Sequence, residues 1–166
     1  MTVRRLLRTL TSCRSGTAAV EMALLTPFLA GLMCAAMEGG YYMYTEHQIV
    51  KGVRAGARYA ARQPFSLYTS CTTVDATLAT NIKEVTRTGQ VSGGTTRVVG
   101  WTNADVTVTA DCPATAVNTG IYTVYGNAPR VTVKAVVNYP WLLGRLGGFS
   151  STSKIYAQDQ ATVMGI

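Results

Sequence analysis

An apolar run of 21 residues, Thr17 to Met37, holds a single charged side chain, Glu21. At about 1.5 Å per residue, a helix of that length covers roughly 30 Å, the thickness of a bilayer's hydrocarbon core. Such a segment has few places to go other than a membrane or a bundle of similar helices. Ahead of it stand Arg4, Arg5, Arg8 and Arg14 with no acidic residue, so the first sixteen residues carry four of the seven net positive charges of the chain. The remainder is only mildly basic. A basic start followed by an apolar run fits a secretory signal, a mitochondrial presequence or a membrane anchor. The run is longer than an ordinary signal core, although Ala35 and Ala36 offer a site for signal peptidase. Orientation by charge is close to a tie, because Lys51, Arg54, Arg58 and Arg62 on the far side balance the four leader arginines.

Glu21 is the most informative residue. On the insertion scale a carboxylate at the centre of a membrane helix costs roughly 2.5 to 3.5 kcal/mol, and somewhat less near an end. It either snorkels to the headgroups or finds a cation. Cleavage between Gly16 and Thr17 would create one, since the new α-ammonium of Thr17 lies one helical turn from Glu21, or could meet Glu21 of a neighbouring helix. The basic leader, Gly16, Glu21 and the apolar helix together resemble a type IV prepilin. The stretch Gly16 to Pro27, reading Gly-Thr-Ala-Ala-Val-Glu-Met-Ala-Leu-Leu-Thr-Pro, and the run Val53-Arg54-Ala55-Gly56-Ala57-Arg58-Tyr59-Ala60 are similar to the two ends of the TadE-like domain. Met22 stands where that family usually has Phe. The resemblance covers residues 14 to 62 well and later segments only loosely. It implies a minor pilin or pseudopilin of the tight-adherence (Flp) pilus, cut by a prepilin peptidase after Gly16 and assembling through Glu21 with other pilin subunits. It also implies an inner-membrane location, with the N-terminus cytoplasmic, the C-terminal part periplasmic, and passage to the cell exterior within a pilus. The rival reading is a bitopic envelope assembly or adaptor protein that never enters a filament.

Beyond the apolar run, Tyr41, Tyr42 and Tyr44 read as an interfacial aromatic belt. Ile49, Val53, Ala57 and Ala60 share one side of a continuing helix, while Lys51, Arg54, Arg58 and Arg62 share the opposite side. A continuous helix from Thr17 to about Arg62 spans about 70 Å, and Gln63-Pro64 ends it. Pro27 lies within the span, where a lost hydrogen bond is tolerated once neighbouring groups re-satisfy the backbone. The small pairs Ala35/Gly39, Ala36/Gly40 and Gly52/Gly56 permit close approach of another helix. The basic stripe is either a contact for anionic lipid, DNA or an acidic partner, with DNA resting on charge alone, or simply a solvated helix face.

The rest reads as an α+β domain, with a helix over Asp75 to Thr88 and strands over Arg97 to Trp101, Asp105 to Cys112, Val131 to Val137 and Lys154 to Val163. The expected fold is therefore a long N-terminal transmembrane and amphipathic helix packed on a small antiparallel sheet. Its boundaries are a leader 1–16, a membrane helix 17–44, an amphipathic extension 45–63 and an exported domain 64–166. The segment Cys112-Pro113 to Gly126-Asn127 reads as a solvent-facing excursion. Tyr139 to Phe149 is an apolar, glycine-rich loop around Trp141 that either lies on the sheet as a lid or offers a patch to a partner or the membrane. Cys71 and Cys112 are the natural disulfide pair if this domain is exported, and unpaired thiols if it is not. Closing about forty residues would stabilise it by roughly 4 kcal/mol in the chain-entropy model.

Composition excludes other classes. At 48% hydrophobic and 14% charged residues, the chain is too apolar to be a disordered tail. No catalytic constellation, phosphate loop, metal-ligand spacing or nucleic-acid motif is present, and the lone His47 reads as a surface residue beside the membrane. The sequence therefore calls for no enzyme activity, no cofactor, no metal and no nucleic-acid partner.

Overall fold

The computed structural model describes residues 15–69, 72–113, 119–123, 128–144 and 153–165. The chain divides into two compact units, Met1–Gly40 and Tyr41–Ile166. A single helix, α1 (Ser15–Ala61), supplies the described part of the first unit and opens the second.

In the first unit α1 is apolar and bare. Val20, Met22, Leu24, Phe28, Leu32 and Met33 all stand exposed. Among the described residues, this is the one helix long and apolar enough to cross a membrane. Pro27 sits inside it without ending it. The adjacent Thr26 hydroxyl donates to the Met22 carbonyl at 2.6 Å, a local polar closure that suits an apolar surrounding.

The second unit is built on the amphipathic phase of α1. Ile49, Val53, Ala57 and Ala60 are buried, as their spacing requires, while Lys51, Arg54, Arg58 and Arg62 are exposed. The end of α1 is held by three separate donors. The Gln63 side-chain amide donates to the Tyr59 carbonyl, the Tyr68 hydroxyl to Ala60 at 2.6 Å, and the Met164 backbone N–H to Ala61 at 2.8 Å. The Tyr59 and Ala60 carbonyls also accept from the backbone amides of Arg62 and Gln63, at 3.2 and 3.1 Å, so these donors reinforce the last turn, and the Ala61 carbonyl is met by a residue from the far end of the chain.

A short hairpin follows, β1 (Tyr68–Thr69) antiparallel to β2 (Thr73–Val74). Next comes α2 (Ala76–Thr88), whose N-terminus is capped by Asp75 accepting from the amides of Thr77 and Leu78. Gly89, at φ +84°, closes its C-terminus. The main sheet contains β3 (Val106–Asp111), β4 (Arg130–Asn138) and β5 (Lys154–Thr162), all antiparallel in the order β3-β4-β5. On central strand β4, Val131, Val133, Ala135 and Val137 are all buried, the period-2 pattern of a strand with one face on a core. Ile155, Val106, Ile82, Leu78 and Trp101 complete that core.

The α+β class and the three strands of the main sheet agree with the sequence reading. The expected strand over Arg97 to Trp101 does not form. The chain turns there through Gly100 at φ +79°, with the Trp101 amide donating to the Val98 carbonyl at 3.3 Å. This turn aims both Val98 and Trp101 into the core, whereas residues three apart in a strand point to opposite faces. The hairpin β1–β2 has no counterpart in the sequence reading.

Gly52 and Gly56 also find a partner inside the unit. A Cβ on Gly52 would collide with the Thr86 carbonyl oxygen and lie 2.7 Å from the Trp101 ring, and one on Gly56 would collide with the Thr86 hydroxyl. The small pair therefore admits the chain's own α2. Gly39 and Gly40, by contrast, have nothing within 4 Å of where a Cβ would stand.

Burial pushes the Tyr68 hydroxyl's pKa well above its ordinary value, with the nearby Tyr59 adding to the shift. An unfolded tyrosine releases its proton near about pH 10. Between that value and the higher folded pKa, the folded chain holds one more proton than the unfolded chain. Stability is thus intact below about pH 10 and falls as pH rises above it. Tyr68→Phe should cost about 1 kcal/mol near neutral pH, because the buried hydroxyl's bond to the Ala60 carbonyl is lost while the Gln63 backbone N–H still donates to that carbonyl at 3.1 Å, and should flatten the alkaline decline. Urea titrations at neutral pH and above pH 10 test both effects; an unchanged alkaline slope would show that another group is responsible.

Candidate functional site

The residues singled out by the sequence fall in three places. Gly16, Thr17 and Glu21 lie in the first turns of α1, all exposed. Helical geometry places Glu21 about one turn beyond Thr17. Its carboxylate therefore stands on an otherwise apolar surface that nothing in the first unit covers. Exposed apolar area of this extent calls for lipid or other helices.

The second place is the basic face. Lys51, Arg54, Arg58 and Arg62 follow the solvent side of α1, and none enters an ion pair among the described residues. Two hollows separate this face from edge strand β5. One, of about 270 Å³, is lined by Arg54, Val53, Tyr156 and Asp159. The other, of about 620 Å³, is lined by Arg58, Arg62, Ala161 and Met164. The stripe therefore borders a groove as well as open solvent. A guanidinium row above alanine and methionine surface suits a partner's anionic groups.

The third place is Trp141. Its ring packs edge-on to Tyr139, with centroids 6.1 Å apart, and Tyr139 in turn meets Tyr41 at 6.0 Å and Tyr42 at 5.1 Å. Tyr139 is buried in the core and Trp141 half-buried against it. The described start of the loop thus lies on the core in the manner of a lid, and residues 145–152 fall outside the described part. The two rings are brought to the turn where α1 enters the folded unit.

Of the cysteines, Cys34 is an exposed free thiol on α1 and Cys112 is disulfide-bonded. Cys71 lies outside the described residues. Among the described residues no group of three or more His, Cys, Asp or Glu side chains is placed to hold a metal ion. Sequence reasoning missed one polar link. Arg130 grips Asp111 across β3 and β4 through Nε at 3.1 Å and a second, shorter contact. The Arg130 hydrogen bonds hold the Asp111 carboxyl below its usual pKa. Register is what pairs them directly, and no motif in either segment signals it.

Residues 16–58 match the family described as TadE-like protein. Over this stretch the chain is similar to that family. The match begins at Gly16, contains Glu21 and the basic residues through Arg58, and lies wholly within α1. Among curated proteins and solved structures, none matches the chain. The likeness covers the long helix alone and leaves residues 59–166 without a matched family.

Proposed function

We propose that this TadE-like chain is a minor pilin or pseudopilin of the tight-adherence pilus, acting in pilus assembly and adhesion. The observation that carries the reading is a helix that starts at the family match, bears Glu21 near its beginning, and is bare along its apolar half. In a precursor pool lipid covers that surface. In a filament, neighbouring helices do so, and Glu21 is neutralised by an N-terminal ammonium. The corresponding division is a leader 1–16 removed by a prepilin peptidase, a membrane helix 17–44, an amphipathic extension 45–63 and a periplasmic domain 64–166.

In this reading Gly16 and Thr17 flank the cleaved bond, Glu21 directs assembly, and the chain inserts in the inner membrane with its N-terminus cytoplasmic. Lys51, Arg54, Arg58 and Arg62 face other subunits or anionic lipid. Cys112 pairs with Cys71. That pairing is supported by sequence position, since Cys71 stands two residues before β2, which packs near β3, and Cys112 directly follows β3.

Mass spectrometry of the native protein's N-terminus tests the proposal. A mature chain beginning at Thr17 is the expected result. An intact Met1 or Thr2 start, or cleavage after Ala35 or Ala36, would sink it in favour of a plain anchor or a secreted protein.

A further inference from the structure

We infer that the end of the folded unit carrying Tyr41, Tyr42, Tyr139 and Trp141 is a lipid-surface contact, seating the unit on the headgroup layer where α1 leaves the bilayer. The inference rests on the reading of α1 as a membrane helix.

Two segments distant in sequence build this end. On α1, every described residue through Gly40 is exposed or half-exposed, and Thr45 is the first to be buried. The passage from bare helix to covered helix takes place within about one turn, which holds Tyr41, Tyr42, Met43 and Tyr44. Tyr42 and Tyr44 are 38% and 58% exposed, so their rings are available to an outside surface. From the sheet, β4 ends at Asn138 and delivers Tyr139 against the rings of Tyr41 and Tyr42, followed by half-buried Pro140, Trp141, Leu142 and Leu143. Opposite Asn138 in register is Lys154, which is exposed.

Tyrosine and tryptophan rings with a flanking lysine are the chemistry of the bilayer interface. There an amphipathic ring lies among carbonyls and the ammonium reaches a phosphate. Chain continuity selects lipid over another protein as the occupant, because Tyr41 stands about one helical turn beyond the apolar run Thr17–Met37, after Glu38, Gly39 and Gly40. If that segment fills the hydrocarbon layer, the headgroups begin at this turn. Tyr139 couples the two segments: its ring is buried in the core while touching Tyr41, Tyr42 and Trp141. Tyr139 and Trp141, which follow β4, are consequently held at the same level as the tyrosines of α1. The groove beside Arg54 and Arg58 begins about two helical turns further along α1 and stays free for a protein partner.

The chain has two tryptophans, and they divide the test between them. Trp101 is buried in the core and serves as an internal control, whereas Trp141 belongs to the proposed contact. The full chain is reconstituted in vesicles of phosphatidylcholine and phosphatidylglycerol containing phosphatidylcholine brominated either near the headgroup end or near the tip of its acyl chains. The Trp141 signal is the difference between the unaltered chain and Trp141→Tyr, a variant that keeps a ring in the cluster. We expect bromine near the headgroups to reduce Trp141 emission about twofold, bromine at the chain tips to reduce it less, and Trp101 emission to be unaffected.

Leu32→Trp, placed in the Trp141→Tyr chain, reports the bilayer interior. If Leu32→Trp is quenched by chain-tip bromine while Trp141 responds to neither lipid, the seat is overturned and the membrane helix stands. Trp141 quenching by aqueous acrylamide in place of bromolipid overturns the seat in the same way. If Leu32→Trp also escapes quenching, the membrane reading fails and the seat with it. Should Trp141→Tyr perturb the fold, Tyr42→Trp in the unaltered chain supplies a second interfacial reporter with the same expected response.

Discussion

Gly52→Ala is expected to destabilise the folded unit by about 3 kcal/mol, even though the same change in an exposed helix would stabilise it by about 1 kcal/mol. The sign reverses because the added methyl would meet the Thr86 carbonyl oxygen, with the Trp101 ring at 2.7 and 3.1 Å behind it. A backbone oxygen within α2 moves only if the whole helix moves. At Gly56 the obstruction differs, being the Thr86 hydroxyl, with the Thr86 Cβ at 3.2 Å and the Ile82 carbonyl at 3.5 Å.

Gly56→Ala should therefore be rescued by Thr86→Ala, which removes the colliding oxygen, while Gly52→Ala should not. Thr86→Ala alone should cost about 1 kcal/mol, because its hydroxyl bonds the Ile82 carbonyl at 2.7 Å in a buried position. A double-mutant cycle by urea denaturation, followed through the emission of core residue Trp101, separates the two cases. Equal rescue at both glycines, or a Gly52→Ala chain as stable as the unaltered one, would show that α1 and α2 do not meet as described.

The second large effect concerns Glu21. Under the proposed function, Glu21→Ala should abolish incorporation into filaments while leaving the amount of membrane-inserted chain unchanged. The carboxylate's burden in lipid, roughly 2.5 to 3.5 kcal/mol at mid-bilayer and less near an end, favours leaving lipid for a place where a cation meets it. Alanine removes both the burden and the attraction, so the helix stays in the membrane. Glu21→Gln retains the shape without the charge, and should share the defect if the ion pair rather than side-chain size drives transfer. Comparing sheared surface pili with membrane fractions gives the readout. Normal filament content in both variants would remove Glu21 from assembly.

Periodicity carried much of the fold. Ile49, Val53, Ala57 and Ala60 announce the buried side of α1, and the alternation of Val131, Val133, Ala135 and Val137 announces β4, because each pattern repeats with the period of its backbone. Val98 and Trp101 lack that support. A short run rich in β-formers fits a strand equally well until Gly100 takes a positive φ and both side chains turn inward. The hairpin β1–β2, with two residues on each side, is too short for any alternation to register.

The candidate site divides along the same line. Gly16, Glu21 and the apolar helix were legible because a short motif and an apolar run depend only on local order along one chain. Trp141 was visible as an apolar loop residue, but its link through Tyr139 to Tyr42 was not.

By itself, then, the sequence determined a basic N-terminal stretch, a long apolar helical run with one carboxylate, and an amphipathic continuation facing an α+β domain. These depend on composition and on repeats of about 3.6 and 2 residues, which neighbouring residues express together. Only the tertiary structure decided that Gly52 and Gly56 receive α2, that Arg130 grips Asp111, and that Tyr139 joins Trp141 to the tyrosines of α1. Each of these contacts links segments distant in the chain, and its geometry is set by strand register and by which atoms collide. Neither leaves a periodic trace in the residues themselves.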